Sequence, residues 1–317
     1  MTGLPAGFRS GFADCGEVRL HFVTNGEHDL GRTPAISDPR PVIVFLHGFP
    51  EYWAAWEPVM TRLAQDYLVI APDQRGFNLS DAPERAENYA TKKLVSDLLA
   101  LTSTLIGNRK FVLAGHDWGA SVAYAIAIGA PERISALIIV NGVHPVLFQR
   151  ALVEDAAQRE ASQYFHILTA EGAAGRMSEN GFARTFSMFE KFSSTPWLGP
   201  EERQGYLDAW SQPGRLQAML HWYRSSPIVV PKPGEAGIEA PLASGTPARY
   251  GISMPHLVVW GMKDPALLPV SRLGLEAFAP KLQLVEIPDA DHWIIHTHGE
   301  IVAGEIMKFL DTRENAK

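Results

Sequence analysis

The residues best placed to do chemistry are Asp117, His292 and Asp264. Asp117 is the centre of Gly115-His116-Asp117-Trp118-Gly119, which follows the apolar run Phe111 to Ala114 and precedes the small-residue run Ser121 to Ile128. A tight strand-to-helix turn with a glycine on each side of its central residue holds that side chain exposed, as a nucleophile elbow does. With Asp at the centre, the chemistry is attack on an electrophilic carbon to give an alkyl ester, which water must then cleave. The second step needs a base and a group to hold it. His292 lies just past the apolar run Leu282 to Ile287, and Asp264 just past His256 to Trp260. His296 and His298 are alternatives to His292. His292 comes earliest after the strand and has Trp293 to pack its loop. Asp289 and Asp291 are rivals to Asp264 but neighbour His292 itself.

A second turn, His47-Gly48-Phe49-Pro50, follows the apolar run Pro41 to Leu46. The backbone N–H groups of Phe49 and Trp118 are expected to form an oxyanion hole for the tetrahedral step. The Phe49–Pro50 peptide is expected to be cis, X-Pro being the usual setting for such a bond. His47, Pro50, Trp118 and Trp293 are expected to wall the substrate pocket.

These turns need strands to carry them. Arg9 to Val23 reads as two strands joined near Cys15-Gly16. Pro41 to Leu46, Tyr67 to Ala71, Phe111 to Ala114 and Ile134 to Val140 read as buried strands, with helices at Tyr52 to Gln65, Thr91 to Ile106 and Ser121 to Ile128. Strands alternating with helices imply a mostly parallel sheet covered on both faces. Active sites in such sheets lie beyond the carboxyl ends of the strands, so His47, Asp73 and Asp117 are each expected at one crevice. After Asn141-Gly142 the alternation stops. Val143 to Gly251 reads as an inserted, aromatic-rich helical cap, with Lys232 to Gly251 a long Pro/Gly-rich return loop. Strands resume at His256 to Trp260 and Leu282 to Ile287, and a helix over Gly299 to Leu310 closes the chain. The expected division is a core of 1–142 and 252–317 with a cap of 143–251. Asn25 to Arg40 reads as a loop.

At 317 residues, the chain accommodates one large α/β domain with an insertion. A net charge of -7 argues against nucleic acid as the main partner. The single cysteine, Cys15, excludes an intramolecular disulfide and reads as a small buried hydrophobe. No apolar run approaches a membrane span and no signal peptide is evident, so the expected location is the cytoplasm. With no metal-ligand spacing and no phosphate-binding glycine loop, no cofactor and no metal are expected. Oligomeric state is not encoded in any recognisable pattern.

HGFPEYWAAW, DQRGFNLSDAP, GHDWGA, WGMKDP and DHW, in this order, resemble the epoxide hydrolases of the α/β-hydrolase fold. The resemblance spans about Phe22 to Leu310 and continues into the cap. It implies the nucleophile, acid, histidine order Asp117, Asp264, His292. It also implies two cap tyrosines that hydrogen-bond the epoxide oxygen and protonate the leaving alkoxide: Tyr164 in QYFH and Tyr223 in HWYR. Tyr206 and Tyr250 read as packing aromatics. The implied activity is cofactor-independent hydrolysis of a small hydrophobic epoxide, an ether, to a vicinal diol, with water as the only other reactant.

Haloalkane dehalogenases share this nucleophile. They bind halide with the indole after it plus an Asn or a second Trp. Trp118 fits, Phe49 stands where the Asn would be, and Trp197 is the candidate second indole. Haloacetate dehalogenases place Arg one and four positions after the nucleophile, where this chain has Trp118 and Ser121. A non-enzymatic ligand receptor on the same fold is a third reading, which an apparently complete triad opposes.

Overall fold

The structure is a computed structural model that describes residues 3–27, 36–193, 195–235 and 239–314. Its strands are β1 Arg9–Asp14, β2 Arg19–Thr24, β3 Val42–Leu46, β4 Leu68–Pro72, β5 Phe111–His116, β6 Ile134–Val140, β7 His256–Gly261 and β8 Leu282–Ile287. They form one sheet in the order β1-β2-β4-β3-β5-β6-β7-β8. β1 pairs antiparallel with β2 and β2 with β4; the remaining pairs are parallel. Every residue of β3, β4, β5 and β7 is buried, as strands covered on both faces must be. β1 and β8 are the edge strands of this sheet, and half of β8 is exposed. Cys15 is buried, and burial together with nearby Asp97 and Asp14 pushes its thiol up to about 12.

Helices α1 Glu57–Leu63, α2 Thr91–Ile106 and α3 Trp118–Gly129 cover the first half of the sheet's connections. The expected helix Tyr52 to Gln65 is instead a 3-10 turn, Trp53–Trp56, followed by α1. Pro58 explains the break: without an N–H it suits the first turn of a helix, not its interior. α3 begins three residues earlier than its small-residue run suggested, with Asp117 as its N-cap.

Between β6 and β7 the chain leaves the sheet. It forms α4 Pro145–Glu154, α5 Ala156–Ala161, α6 Tyr164–Thr169, α7 Ala173–Lys191, α8 Pro200–Trp210 and α9 Arg215–Arg224. α7 is two helical pieces joined by a kink: Glu179 to Phe182 leave helical geometry, three of them with positive φ. The Pro/Gly-rich return is less irregular than its composition suggests. It holds a 3-10 turn at Pro241–Ser244 and α10 Pro247–Tyr250, each opened by a proline in its first turn. Residues 236–238 of that stretch, and 28–35 of the expected loop Asn25 to Arg40, lie outside the described residues. α11 Leu275–Phe278, α12 Ile294–Thr297 and α13 Gly299–Glu314 complete the chain. No helix is long and apolar enough to cross a membrane, among the described residues.

Candidate active site

Strand register sets the level of the site. Leu46 pairs with Gly115, His116 with Val140, and Gly261 with Ile287. The turns after β3, β5, β6, β7 and β8 therefore open at one edge of the sheet. Asp117 stands in the turn after β5, with φ 50° and ψ -119°. A side chain on Gly119 would meet the Leu46 carbonyl oxygen at 2.1 Å, and one on Gly115 the Gly119 carbonyl oxygen at 2.6 Å. Both glycines are required because α3 leaves the elbow pressed against β3 and β5.

The Asp117 carboxylate is 12% exposed. Its Oδ1 accepts a hydrogen bond from the Phe49 N–H at 2.8 Å, and the Trp118 N–H also donates to it. The Phe49–Pro50 peptide is cis. Oδ2 lies 3.7 Å from His292 Nε2. His292 Nδ1 donates to Asp264 Oδ2 at 2.7 Å. Asp264 is buried and heavily bonded: Asn141 Nδ2 donates to Oδ2 at 2.7 Å, and the Ala266 and Leu267 N–H groups donate to Oδ1 at 2.8 and 2.9 Å.

Burial raises the Asp117 carboxyl, and the charges of His292 and His116 with the two N–H groups only partly offset it. Burial also opposes ionisation of Asp264, but His292, Leu267 N–H and Asn141 outweigh it, and its carboxyl lies below the usual range. For His292 burial disfavours the cation. Asp264, then Asp117 and Glu51, more than reverse this and push the imidazole up to about 9. A protonated imidazole between two carboxylates is thus the resting state at neutral pH.

Tyr164 opens α6 and Tyr223 lies near the end of α9. Their rings are 6.2 Å apart at 80°. Burial raises both phenols well above 10; Asp117 adds to the shift in each, and Trp118 donates a side-chain hydrogen bond to Tyr223. Both are protonated donors at any ordinary pH. Tyr223 is held edge-on by Phe49, Trp118 and Phe165, with centroids at 5.1, 4.9 and 4.9 Å.

A cavity of about 320 Å³ opens on Asp117. Trp118, Ser121, Ala125 and Ile128 of α3, spaced to share one helix face, form one wall. Tyr164, Phe165, Ile228, Tyr250 and Leu267 face them, and among the described residues Asp117 is the only Asp, Glu, His, Lys or Arg on the lining. Trp118 is where the sequence put it, but His47, Pro50 and Trp293 are not on this wall. His47 is fully buried beneath its own turn, donating to Gly48 O at 2.9 Å and accepting from Gln74 N–H at 3.1 Å. The Pro50 carbonyl accepts from the Trp210 indole at 2.7 Å, and the Trp293 indole donates to Phe189 O at 3.0 Å. Asp73 is also absent from the cavity: it binds His21 Nδ1 at 2.7 Å and Trp53 N–H at 3.0 Å, tying β2 to the turns. Trp197 stacks on His296 at 3.8 Å, in another groove. Tyr250, taken for packing, does line the cavity.

Three further groups complete the surroundings, and the sequence reading passed over them. Asn141, at positive φ after β6, accepts from Gly261 N–H through its side chain and from Asp117 N–H through its carbonyl while donating to Asp264. Its position, closing a buried strand before Gly142, was the available signal. Glu51, fully buried, receives His116 Nδ1 at 3.1 Å and His296 Nε2 at 2.6 Å, which hold its carboxyl far below the usual range against the cost of burial. His116 Nε2 reaches the His292 carbonyl at 2.9 Å. Glu51 directly follows the His47–Pro50 turn and His116 lies within the elbow beside Asp117, so adjacency is their signal. Among the described residues no group of three or more His, Cys, Asp or Glu is placed to hold a metal ion.

Residues 41–299 match the α/β hydrolase fold family. The AB hydrolase superfamily protein YfhM of Bacillus subtilis (strain 168) is 33% identical over 298 residues, covering 92% of this chain and 98% of that protein. Epoxide hydrolase 4 of Mus musculus is 29% identical over 302 residues, covering 92% of this chain and 76% of that one. A solved structure described among novel epoxide hydrolases of the α/β hydrolase superfamily, from metagenomes of hot environments, is 31% identical. It superposes with a TM-score of 0.82 over 96% of this chain and 98% of that one. The elbow, the strand order and these likenesses agree: the chain belongs to the α/β hydrolase fold family.

Proposed function

We propose that this protein is a cofactor-independent epoxide hydrolase working through an ester on Asp117, with 143–251 as a cap over a core of 1–142 and 252–317. The observation that carries the reading is the pair of protonated phenols, partly buried Tyr164 and buried Tyr223, both within the field of the Asp117 carboxylate. The relatives described as epoxide hydrolases support it.

Asp117 attacks one epoxide carbon from the back and the C–O bond breaks. A strained ether leaves as an alkoxide and needs a proton, which a phenol supplies. Charge grows on that oxygen as the ring opens, so the phenol hydrogen bonds strengthen in the transition state. Ester formation removes one of the negative charges that raise His292. The imidazole's affinity for its proton falls, and that proton restores the phenol. Neutral His292, oriented by Asp264, then takes a proton from water as the water attacks the ester carbonyl. The oxyanion forms where Phe49 N–H and Trp118 N–H already point. Collapse expels the second alkoxide, which takes the proton still on the incoming water oxygen; the vicinal diol leaves, Asp117 keeps one oxygen from water and His292 is left protonated, as at the start.

Halide displacement would give the phenols no task, and Trp197, the candidate second halide-binding indole, is engaged with His296. In a single turnover in oxygen-18 water, the first diol should carry an oxygen from the protein and Asp117 should acquire the label. A first-turnover diol labelled from solvent overturns the ester mechanism. Halide release without diol formation, across a panel of 1-haloalkanes and epoxides, overturns the substrate class.

A further inference from the structure

Tyr164 is shared by two cavities. One is the cavity over Asp117. The other, about 230 Å³, is lined by α6, the two pieces of α7 and Phe192, and shares only Tyr164 with the first. Its interior is apolar, with Leu168, Met177, Met188 and Phe192. Ile167 stands at its edge, 65% exposed, which is unusual for so apolar a side chain. The polar part of the lining is cationic: Arg176, Arg184 and Lys191, with Ser187 and no acidic residue.

Among the described residues, none of these three cations pairs with a carboxylate. Arg176 donates to the Glu171 carbonyl at 2.8 Å, and Lys191 lies over the Phe192 ring at 5.7 Å. Three uncompensated cations around one cavity stand out on a chain of net charge -7. The kink of α7 produces the arrangement. Arg176 belongs to the piece before Glu179, Arg184 and Lys191 to the piece after Phe182, and the turn between folds both pieces onto the same space. A straight helix would carry Arg176 and Lys191 more than 20 Å apart along its axis, at about 1.5 Å per residue.

We propose that this cavity is a second binding site, distinct from the catalytic one, for a small anionic amphiphile: an alkyl or aryl carboxylate whose apolar part packs on Met177, Met188 and Phe192 and whose head meets the arginines. Methionine suits such a wall because its unbranched side chain fills irregular space, and arginine pairs with carboxylate through two parallel hydrogen bonds. An occupant would lie against Tyr164 and against Phe192, whose ring is 5.7 Å from Tyr164 and 6.1 Å from His292. Occupancy therefore bears on the phenol that faces the epoxide. That consequence rests on the proposed function, whereas binding does not.

The test titrates octanoate and octan-1-ol by calorimetry at low salt. The proteins are wild type, the triple variant Arg176→Ser/Arg184→Ser/Lys191→Ser, Met188→Trp to fill this cavity, and Ser121→Trp to fill the catalytic one, each checked for folding by thermal melting. Octanoate should bind once per chain, about tenfold more tightly than octan-1-ol. The triple variant should lose about tenfold, since three largely exposed charge pairs, each weak by itself, are removed together. Met188→Trp should abolish binding and Ser121→Trp should leave it intact. Binding unaffected by the triple variant overturns the proposal, as does binding lost in Ser121→Trp but kept in Met188→Trp. So does attachment to phosphatidylglycerol vesicles with no uptake of octanoate. Epoxide turnover with and without octanoate is read separately, so a failure there bears on the coupling and not on the site.

Discussion

The two sides of the catalytic cavity are held by different physics. On the sheet side, almost every polar atom is fixed by a directional bond. Asp117 has two N–H donors, Asp264 four donors counting His292, and Asn141 ties the elbow to β7. On the other side Tyr164, on the cavity lining, and Tyr223, off it, are positioned mainly by ring contacts, with Phe165, Phe192, Trp118 and Phe49 around them, and by one hydrogen bond from the Trp118 side chain to Tyr223. Hydrogen bonds on buried charges fix atoms closely and are expensive to break. Edge-to-face aromatic contacts are worth about 0.5–1.5 kcal/mol each and tolerate small shifts. On the proposed mechanism the rigid side would carry the ester chemistry and the compliant side would meet the substrate.

The largest expected effect tests the rigid side. Asp117→Asn should lower turnover by on the order of 10⁴-fold or more, as removal of a nucleophile does elsewhere, with folding retained. Steady-state assay with a melting curve checks it; activity within tenfold of wild type would remove Asp117 from the mechanism. On the compliant side, Tyr164→Phe and Tyr223→Phe should each slow ring opening by about 10²-fold, by analogy with an oxyanion-hole donor, and the double variant by far more. Stopped-flow alkylation rates measure this, and a double variant that opens epoxides normally would leave the phenols as packing.

A smaller effect should come from Asn141→Ala. It strips a hydrogen bond from a buried carboxylate, a loss of about 1.5–3 kcal/mol in stability, read by urea unfolding. An equal loss from Phe165→Leu, which removes only ring contacts, would erase the contrast between the two sides.

The remaining prediction is a pH dependence. His292 is raised in the folded state to about 9 from 6.5. Its contribution to stability is complete below pH 6.5 and is lost as pH rises through about 9. Unfolding free energy should therefore fall across that window. Asp117→Asn should move the loss to lower pH, because one of the charges that raise His292 is gone. A flat profile between pH 6.5 and 9.5 would contradict the resting imidazolium.

The same contrast explains what the sequence made legible. Strand–turn punctuation located Asp117, Asp264, His292 and Phe49 because backbone geometry dictates residue type there: Gly119 tolerates no Cβ, and the buried runs before each turn are unmistakable. Their mutual distances follow from register. His47, Pro50 and Trp293 lie off the cavity because adjacency to a turn does not say which way a residue faces; the His47 and Trp293 side chains and the Pro50 carbonyl are each engaged by a hydrogen bond made over a sequence separation of 27 to 160 residues. Tyr250 was missed for the opposite reason. It belongs to a Pro/Gly-rich stretch with no periodicity, and only the path of the return from α9 brings it to the cavity.

The lining of the Asp117 cavity has a thermodynamic corollary. With a single ionised group amid apolar walls, entry resembles partition from water into oil. For a homologous series of terminal epoxides each added methylene is worth about 0.8 kcal/mol when fully buried, close to fourfold in affinity. The logarithm of affinity should rise in a straight line with chain length, then break where about 320 Å³ is filled. The position of that break is a molecular ruler: it reads the cavity's length in carbon atoms, without a structure of any complex.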